Sequence, residues 1–429
     1  MPSTEASVRR TNLGDGTAAA GQSTEGKAVT AFSWRRASSW PSDLLNPAGA
    51  WVLSRMLILA LVYSKAMGVD GEVNGLYPGW AHTLASGSYP QGDVTWQYPP
   101  GAALVFLAPK ALNFISYGAA FGVVILLADA AITTGLILAA RSGERQVTGA
   151  WVWILGLPLM LHVPYVRYDV IVTAFAVLSL LSVRRSPRLG GALAAVGALV
   201  KGWPVLAVLG TPRGKSTRDA WISVIVSAAA IVGVLALVFR NTFGFLGNQE
   251  GRGIEMGSVG GSVLQLWRLH GYTGRLNYQF GAMEFVGPYV SSIAKASLVL
   301  TVVGLAWLLL WRFKANRWSA ATPADAAMTA LLLFITTSRV ISPQYFIWIV
   351  GMAAVCLSFR ETTQRPVVAL LMLATVLTTI DYPLFLGQLG AGMPFGIYVL
   401  VLRNAVLVLA SVLSCYYLWK ATASKREAG

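Results

Sequence analysis

Apolar runs recur along the whole chain, and polar residues are confined to the connections between them. Ten runs, at about 51–68, 119–140, 149–163, 170–183, 220–239, 290–311, 321–337, 344–358, 366–380 and 396–419, approach or reach the ~17 to 25 residues a bilayer-spanning helix needs. Two other apolar stretches do not read as crossings. Residues 99–117 are interrupted by Pro109 and Lys110, and Pro99–Pro100 suit a helix start, so a short helix in or on one leaflet is predicted. Residues 189–211 have basic residues at both ends and Lys201-Gly202-Trp203-Pro204 near the middle. That pattern predicts a re-entrant hairpin turning at Gly202–Pro204, with its backbone satisfied inside the protein. The expected fold is an all-α polytopic membrane protein of about ten transmembrane helices plus this hairpin, with short helices in its extracytoplasmic loops.

Composition agrees with the pattern. Hydrophobic residues make up 55% of the 429 and charged residues 12%, against about 25% charged in soluble domains. The net charge of +15 would suit nucleic acid were it spread over one face. Instead the basic residues sit in short connectors: Arg141 and Arg145, Arg184 to Arg188, Arg213 to Arg218, Arg312 to Arg317, Arg360 and Arg365. This is the positive-inside bias, with anionic headgroups rather than nucleic acid as the partner. It sets both termini in the cytoplasm and the long connections 69–118 and 240–289 outside. The polar segment 1–45, rich in Gly, Ser and Thr, reads as a disordered cytoplasmic tail with no cleavable signal peptide. Residues 46–420 form a single transmembrane domain, and 421–429 a second tail.

Acids and arginines collect outside, among them Asp70, Glu72, Asp93, Asp169, Glu284 and Asp381 with Arg167, Arg252 and Arg339. A proton-coupled transporter more often places ionisable groups on facing helices at mid-membrane, where only Asp129, Lys201 and Arg403 are expected. Asp70 and Glu72 follow the first helix two residues apart, so on extended backbone both point the same way. Such a pair serves as general base to a hydroxyl or holds a divalent cation, and a solvated loop acid has the same look. Arg339 stands at a helix end, where an arginine also snorkels to headgroups. Lys201 could satisfy carbonyls freed at the Pro204 break. The three histidines lack metal-ligand spacing, and Cys356 and Cys415 lie within apolar runs.

Five blocks occur in one order: Trp96-Gln97-Tyr98-Pro99-Pro100-Gly101, Arg167-Tyr168-Asp169, Lys201-Gly202-Trp203-Pro204, Gln249-x-x-Arg252-Gly253 and Ser342-Pro343-Gln344-Tyr345. Together with Asp70-x-Glu72 they resemble the polytopic GT-C glycosyltransferases, and in particular glycosyltransferase family 87, from helix one to about Arg403. The family usually presents Asp ahead of the Tyr, a place taken here by Glu72, with Asp70 as the other base candidate. The resemblance implies an inverting transferase on the extracytoplasmic face. Its donor would be a polyprenyl-phosphate sugar, with mannose the sugar of the best-known members, and its acceptor a glycolipid or cell-envelope glycan. It implies Glu72 or Asp70 as base, Arg339, Arg252 and Lys201 on the donor phosphate, and Tyr98, Trp96, Arg167, Asp169, Gln344 and Tyr345 on substrate. No cofactor is implied, and the acid pair leaves room for a divalent cation. A polytopic transporter or lipid flippase is the alternative reading of the hydropathy.

Overall fold

The computed structural model describes residues 46–64, 71–142, 145–249 and 251–423. Both expected tails lie outside this set, apart from residues 421–423. The chain begins with α1 (Pro47–Tyr63), α2 (Tyr77–Ala85), α3 (Ala102–Leu107), α4 (Tyr117–Arg141), α5 (Thr148–Gly156) and α6 (Asp169–Ser182). It continues with α7 (Pro187–Val200), α8 (Lys215–Val238), β1 (Ile254–Glu255), α9 (Val259–Arg268), β2 (Arg275–Gln279) and β3 (Ala282–Val286). It ends with α10 (Val290–Lys314), α11 (Thr322–Thr337), α12 (Tyr345–Leu357), α13 (Arg365–Thr379), α14 (Leu386–Ala391) and α15 (Pro394–Thr422). Several starts have a chemical signature. Asn46, Ser116, Ser186 and Ser258 each cap a helix by accepting a bond from an early backbone N–H, and Pro47 and Pro187 take first-turn positions where no donor is needed.

The basic connectors gather at one end of the bundle. Arg145 donates to the Leu181 carbonyl (3.0 Å), Gln146 N–H to Ser358 O (2.7 Å) and Arg317 to Lys420 O (3.0 Å), and Arg213 reaches the Arg312 carbonyl. The segment expected to be re-entrant has both feet at this end. Ser223 Oγ bonds Arg188 O (2.6 Å), and Trp318 Nε1 donates to Gly210 O (3.0 Å). Between those feet the chain climbs through α7 to Lys201, at the opposite end, and returns through a tight turn at Trp203–Val208. Glycine lets the two arms meet, since a Cβ on Gly197 would lie 2.8 Å from Pro204 Cβ, and it lets α7 lie close against α8, since one on Gly191 would lie 2.2 Å from the Ala220 carbonyl. Residues 99–117 also stay at one end, as a short helix and turn tied back by Tyr117 to Phe106 O and by Tyr89 to Pro100 O.

Five helices among the described residues are long and apolar enough to cross a membrane: α4, α8, α10, α13 with its extension to Leu384, and α15. The other runs expected to cross are shorter. The first ends at Tyr63 rather than 68, and α5 gives way to a tight turn at Leu157–Met160, where Pro158 interrupts it. α6 and α12 have 14 and 13 residues, or about 20 Å at ~1.5 Å per residue. These short helices are the most enclosed, whereas α8 and α10 turn rows of Leu, Val and Ile outward. Crossing length therefore belongs mainly to helices at the rim, and helices that stop short leave room at the end opposite the basic connectors.

Two features depart from expectation. An arginine missed among candidate intramembrane charges, Arg55, is buried in α1. Its Nε and Nη2 fork onto Asp129 of α4 (2.6 and 2.9 Å), and its Nη1 donates to Ile154 O (2.7 Å). Trp153 Nε1 and Tyr165 OH, each at 2.7 Å, complete the Asp129 carboxylate. The second departure corrects the all-α expectation: the 240–289 connection contains a three-stranded antiparallel sheet in the order β1-β3-β2. Strands β2 and β3 join through Phe280 and Gly281, both at positive φ, the geometry of a two-residue hairpin turn.

Candidate active site

The chain turns at the long-loop end meet around a narrow central cavity of about 90 Å3, lined by Glu72, Tyr98, Arg167, Asp169, Lys201, Arg252, Gln344 and Tyr345 among others. Eight of the eleven residues singled out from sequence thus come together, although they span some 270 positions, from residue 72 to residue 345. Asp70 lies outside the described residues. Trp96 lines none of the cavities at this end. It is 1% exposed and packed edge-on against Trp80, Tyr98 and Phe106, beneath the wall rather than in it. Arg339 faces an adjoining cavity, described below.

Glu72 opens a wide helical turn, Glu72–Leu76, that runs into α2. Its Oε2 contacts the Arg167 guanidinium and accepts a bond from Tyr77 OH (3.2 Å). Asp169 is the first residue of α6, where the helix dipole favours a carboxylate. Its Oδ1 accepts from Lys201 Nζ (2.8 Å) and Trp348 Nε1 (2.7 Å), while its buried Oδ2 has no partner among the described residues. The hairpin turn presents the Lys201 ammonium to this carboxylate and to the rings of Tyr168, Tyr345 and Trp348, 4.8–5.3 Å from their centroids. Asp93, one of the acids expected outside, is committed to structure: it accepts from Trp80 Nε1 (2.8 Å) and Thr95 N (2.9 Å). Burial alone would raise its pKa, yet the bonds from Thr95 and Trp80 hold it below the usual carboxylate range.

Arg252 is steered by Glu284 of β3 (Nε to Oε1, 2.9 Å), whose other oxygen accepts from Gly253 N–H (3.0 Å). Arg339 Nη1 donates to the Arg252 carbonyl (2.7 Å). The site's charges pair as Glu72 with Arg167, Asp169 with Lys201 and Glu284 with Arg252. Among the described residues no carboxylate lies within ion-pair distance of Arg339, so it supplies a surplus positive charge. Arg339 opens onto a cavity of about 590 Å3 that shares Tyr98, Lys201, Arg252 and Tyr345 with the central one and continues along Val205, Leu206, Phe245 and Phe334. One end of this cavity is cationic and the other is hydrocarbon.

On the opposite flank, a cavity of about 350 Å3 shares Glu72, Arg167, Tyr278 and Gln344 with the centre. Its wall includes Glu255, whose carboxyl burial raises to about 7, opposed by N–H donors from Ile341 and Gly257 and by Arg403. The β2–β3 hairpin roofs the centre, with Tyr278, Phe280 and Gly281 facing it. Among the described residues no group of three or more His, Cys, Asp or Glu gathers as metal ligands. Several contributors were not singled out from sequence. Trp348, stacked 5.3 Å from Trp203 of the hairpin-turn block, sits where any aromatic in an apolar run could be core. Glu284 and Tyr278 lie on the hairpin, whose signal was the alternation on either side of Phe280-Gly281.

The sequence model of glycosyltransferase family 87 matches residues 96–343, more than half the chain. The match is shorter than the stretch from helix one to Arg403 expected from the motifs, and it leaves Glu72 and Tyr345 outside. No curated protein and no solved structure matches the chain significantly.

Proposed function

The chain belongs to glycosyltransferase family 87, and on that premise we propose that it moves a sugar, taken as mannose, from a polyprenyl-phosphate donor to a glycolipid or glycan acceptor with inversion. The observation carrying this reading is the cavity of about 590 Å3, cationic where Lys201, Arg252 and Arg339 meet and apolar along Leu206, Phe245 and Phe334. A phosphate esterified to a long isoprenoid has the same two characters in the same order. Glu72 lies on the other side of the centre and lines no part of that cavity. A carboxylate on one wall and phosphate-binding cations on the other suit an in-line displacement. The acceptor hydroxyl loses its proton to Glu72 as its oxygen bonds the anomeric carbon. The bond from that carbon to the phosphate oxygen breaks on the far side, and polyprenyl phosphate leaves as the monoester. Arg339 and Arg252 gain most at that moment, because the phosphate takes up charge as the bond breaks.

Incubating purified protein with radiolabelled polyprenyl-phosphate mannose and native lipids tests the reaction directly. A labelled glycolipid with inverted anomeric configuration is expected, and free donor with no transferred label would refute the reading. In the same assay Arg339→Ala should raise the donor KM about tenfold to a hundredfold and leave the acceptor KM near wild type. That range corresponds to a charge-assisted hydrogen bond of about 1.5 to 3 kcal/mol. Unchanged donor kinetics in a folded variant would remove Arg339 from the phosphate site.

The positive-inside bias further supports an extracytoplasmic site, because the basic connectors cluster at the end opposite the cavities. A cysteine at Ser186 should therefore resist an impermeant thiol reagent in intact cells, and one at Tyr278 should react. The reverse pattern would invert the proposed orientation.

A further inference from the structure

The cavity of about 350 Å3 on the Glu72 flank falls within the ~300 to 1,000 Å3 of small-molecule sites. Its far wall is built from Asp381, in the turn Ile380–Leu384 after α13, Arg403 of α15 and Glu255 of β1. All three are at most 6% exposed. Arg403 Nη2 donates to Gly257 O (2.8 Å) and stands 3.6 Å from Asp381 Oδ2, a loose approach for an ion pair. Among the described residues Arg403 Nε and Nη1 and Asp381 Oδ1, all buried, have no hydrogen-bond partner. Most buried polar atoms in folded proteins are hydrogen-bonded. Arg55, the other fully buried arginine, uses its whole fork on Asp129 and Ile154. The Arg403 guanidinium, 5.8 Å from the Phe346 ring centroid and facing a carboxylate of its own, keeps two unpartnered nitrogens in the wall of the cavity.

Two donor positions and one acceptor position beside the rings of Tyr278 and Tyr382 match the edge and face of a polyol ring. Neighbouring hydroxyls can donate to Asp381 and accept from Arg403. The cavity runs into the centre along Glu72, so a ring seated there adjoins the hydroxyl that Glu72 would deprotonate. We propose that this cavity is a second carbohydrate subsite, in which Asp381 and Arg403 hold the sugar unit next to the one that accepts the transferred residue. The inference rests on the transferase reading above and narrows it: the acceptor carries at least two sugar units, and selection for the second one is made by these two side chains.

Binding is measured calorimetrically on the full chain in lipid nanodiscs with two probes, methyl α-mannoside and a methyl α-dimannoside. Transfer from polyprenyl-phosphate mannose to each probe is measured separately. The wild type should bind the dimannoside at least about a hundredfold tighter, the scale of two hydrogen bonds to charged groups. Asp381→Asn should abolish most of that preference with donor KM unchanged, and Arg403→Lys should weaken it while keeping the charge. Equal wild-type affinity for the two probes would overturn the subsite even if transfer proceeds, whatever the variants do. A binding preference that Asp381→Asn removes, with no transfer to either probe, would support the subsite and refute the proposed reaction instead.

Discussion

Glu72→Gln should lower turnover by about 10²- to 10⁴-fold, the usual contribution of a positioned general base, while donor affinity stays near wild type. The amide keeps the shape of the carboxylate and its bond from Tyr77, so what is lost is the capacity to take the acceptor's proton. The contact with Arg167 is lost as a salt bridge too, and a control separates the two effects. Arg167→Gln removes the cation but leaves the base, and its loss should be smaller and fall mainly on acceptor KM. Single-turnover measurements with pre-bound donor distinguish a chemical defect from a binding defect. Near-wild-type turnover of Glu72→Gln would move the base elsewhere. Asp70→Asn is then the next variant, and if it too is active Asp169 is the carboxylate to examine, with an Oδ2 unpartnered among the described residues and an Oδ1 already held by Lys201 and Trp348.

The largest effect on folding is expected at Arg55. Arg55→Met leaves the buried Asp129 carboxyl stripped of two of its four bonds, and breaking one side of a buried pair costs about 3 to 5 kcal/mol. That is comparable to the whole stability of a marginal domain, so the variant should be recovered poorly or lose its fold at a much lower temperature in detergent. Asp129→Asn should be similarly harmful, because it strands the guanidinium. Arg55→Met combined with Asp129→Leu removes both charges and should recover part of the loss, though Trp153 and Tyr165 would still lack their acceptor. Thermal unfolding of the three proteins measures the coupling. A single variant as stable as the wild type would show that the network contributes nothing net.

Much of the site was legible because each block carried a local oddity in an apolar chain. Lys201-Gly202-Trp203-Pro204 cannot continue a helix and sits between two basic flanks, so its turn could be read without tertiary information. The long-loop arginines stood out for the same reason. What stayed hidden was pairing at long range. Arg55 looks like a lone charge in an apolar run, and its partner is 74 residues away. Glu284 gains meaning only when a short hairpin folds back to place it on Arg252, and strands of five residues barely rise above loop composition. Trp348 shows the opposite limit: hydrophobic periodicity gives it to the core, and only its indole N–H on Asp169 marks it as part of a polar centre. The runs at α6 and α12 were read within two residues of their observed ends, whereas α5 was read too long because Pro158 turns the chain at Leu157–Met160 without interrupting the apolar run.

The hydrocarbon end of the donor cavity bears on how rates should be counted. Phe334, at its rim, is 42% exposed on the outward side of α11, so on the proposed reading the isoprenoid arrives sideways from the leaflet and never through water. The encounter is then a search in two dimensions, and the concentration that matters is the mole fraction of donor among lipids. Diluting the same donor with more carrier phospholipid should slow the reaction at constant volume, whereas diluting the vesicles with buffer should not. A KM stated in moles per litre would describe the reconstitution rather than the protein.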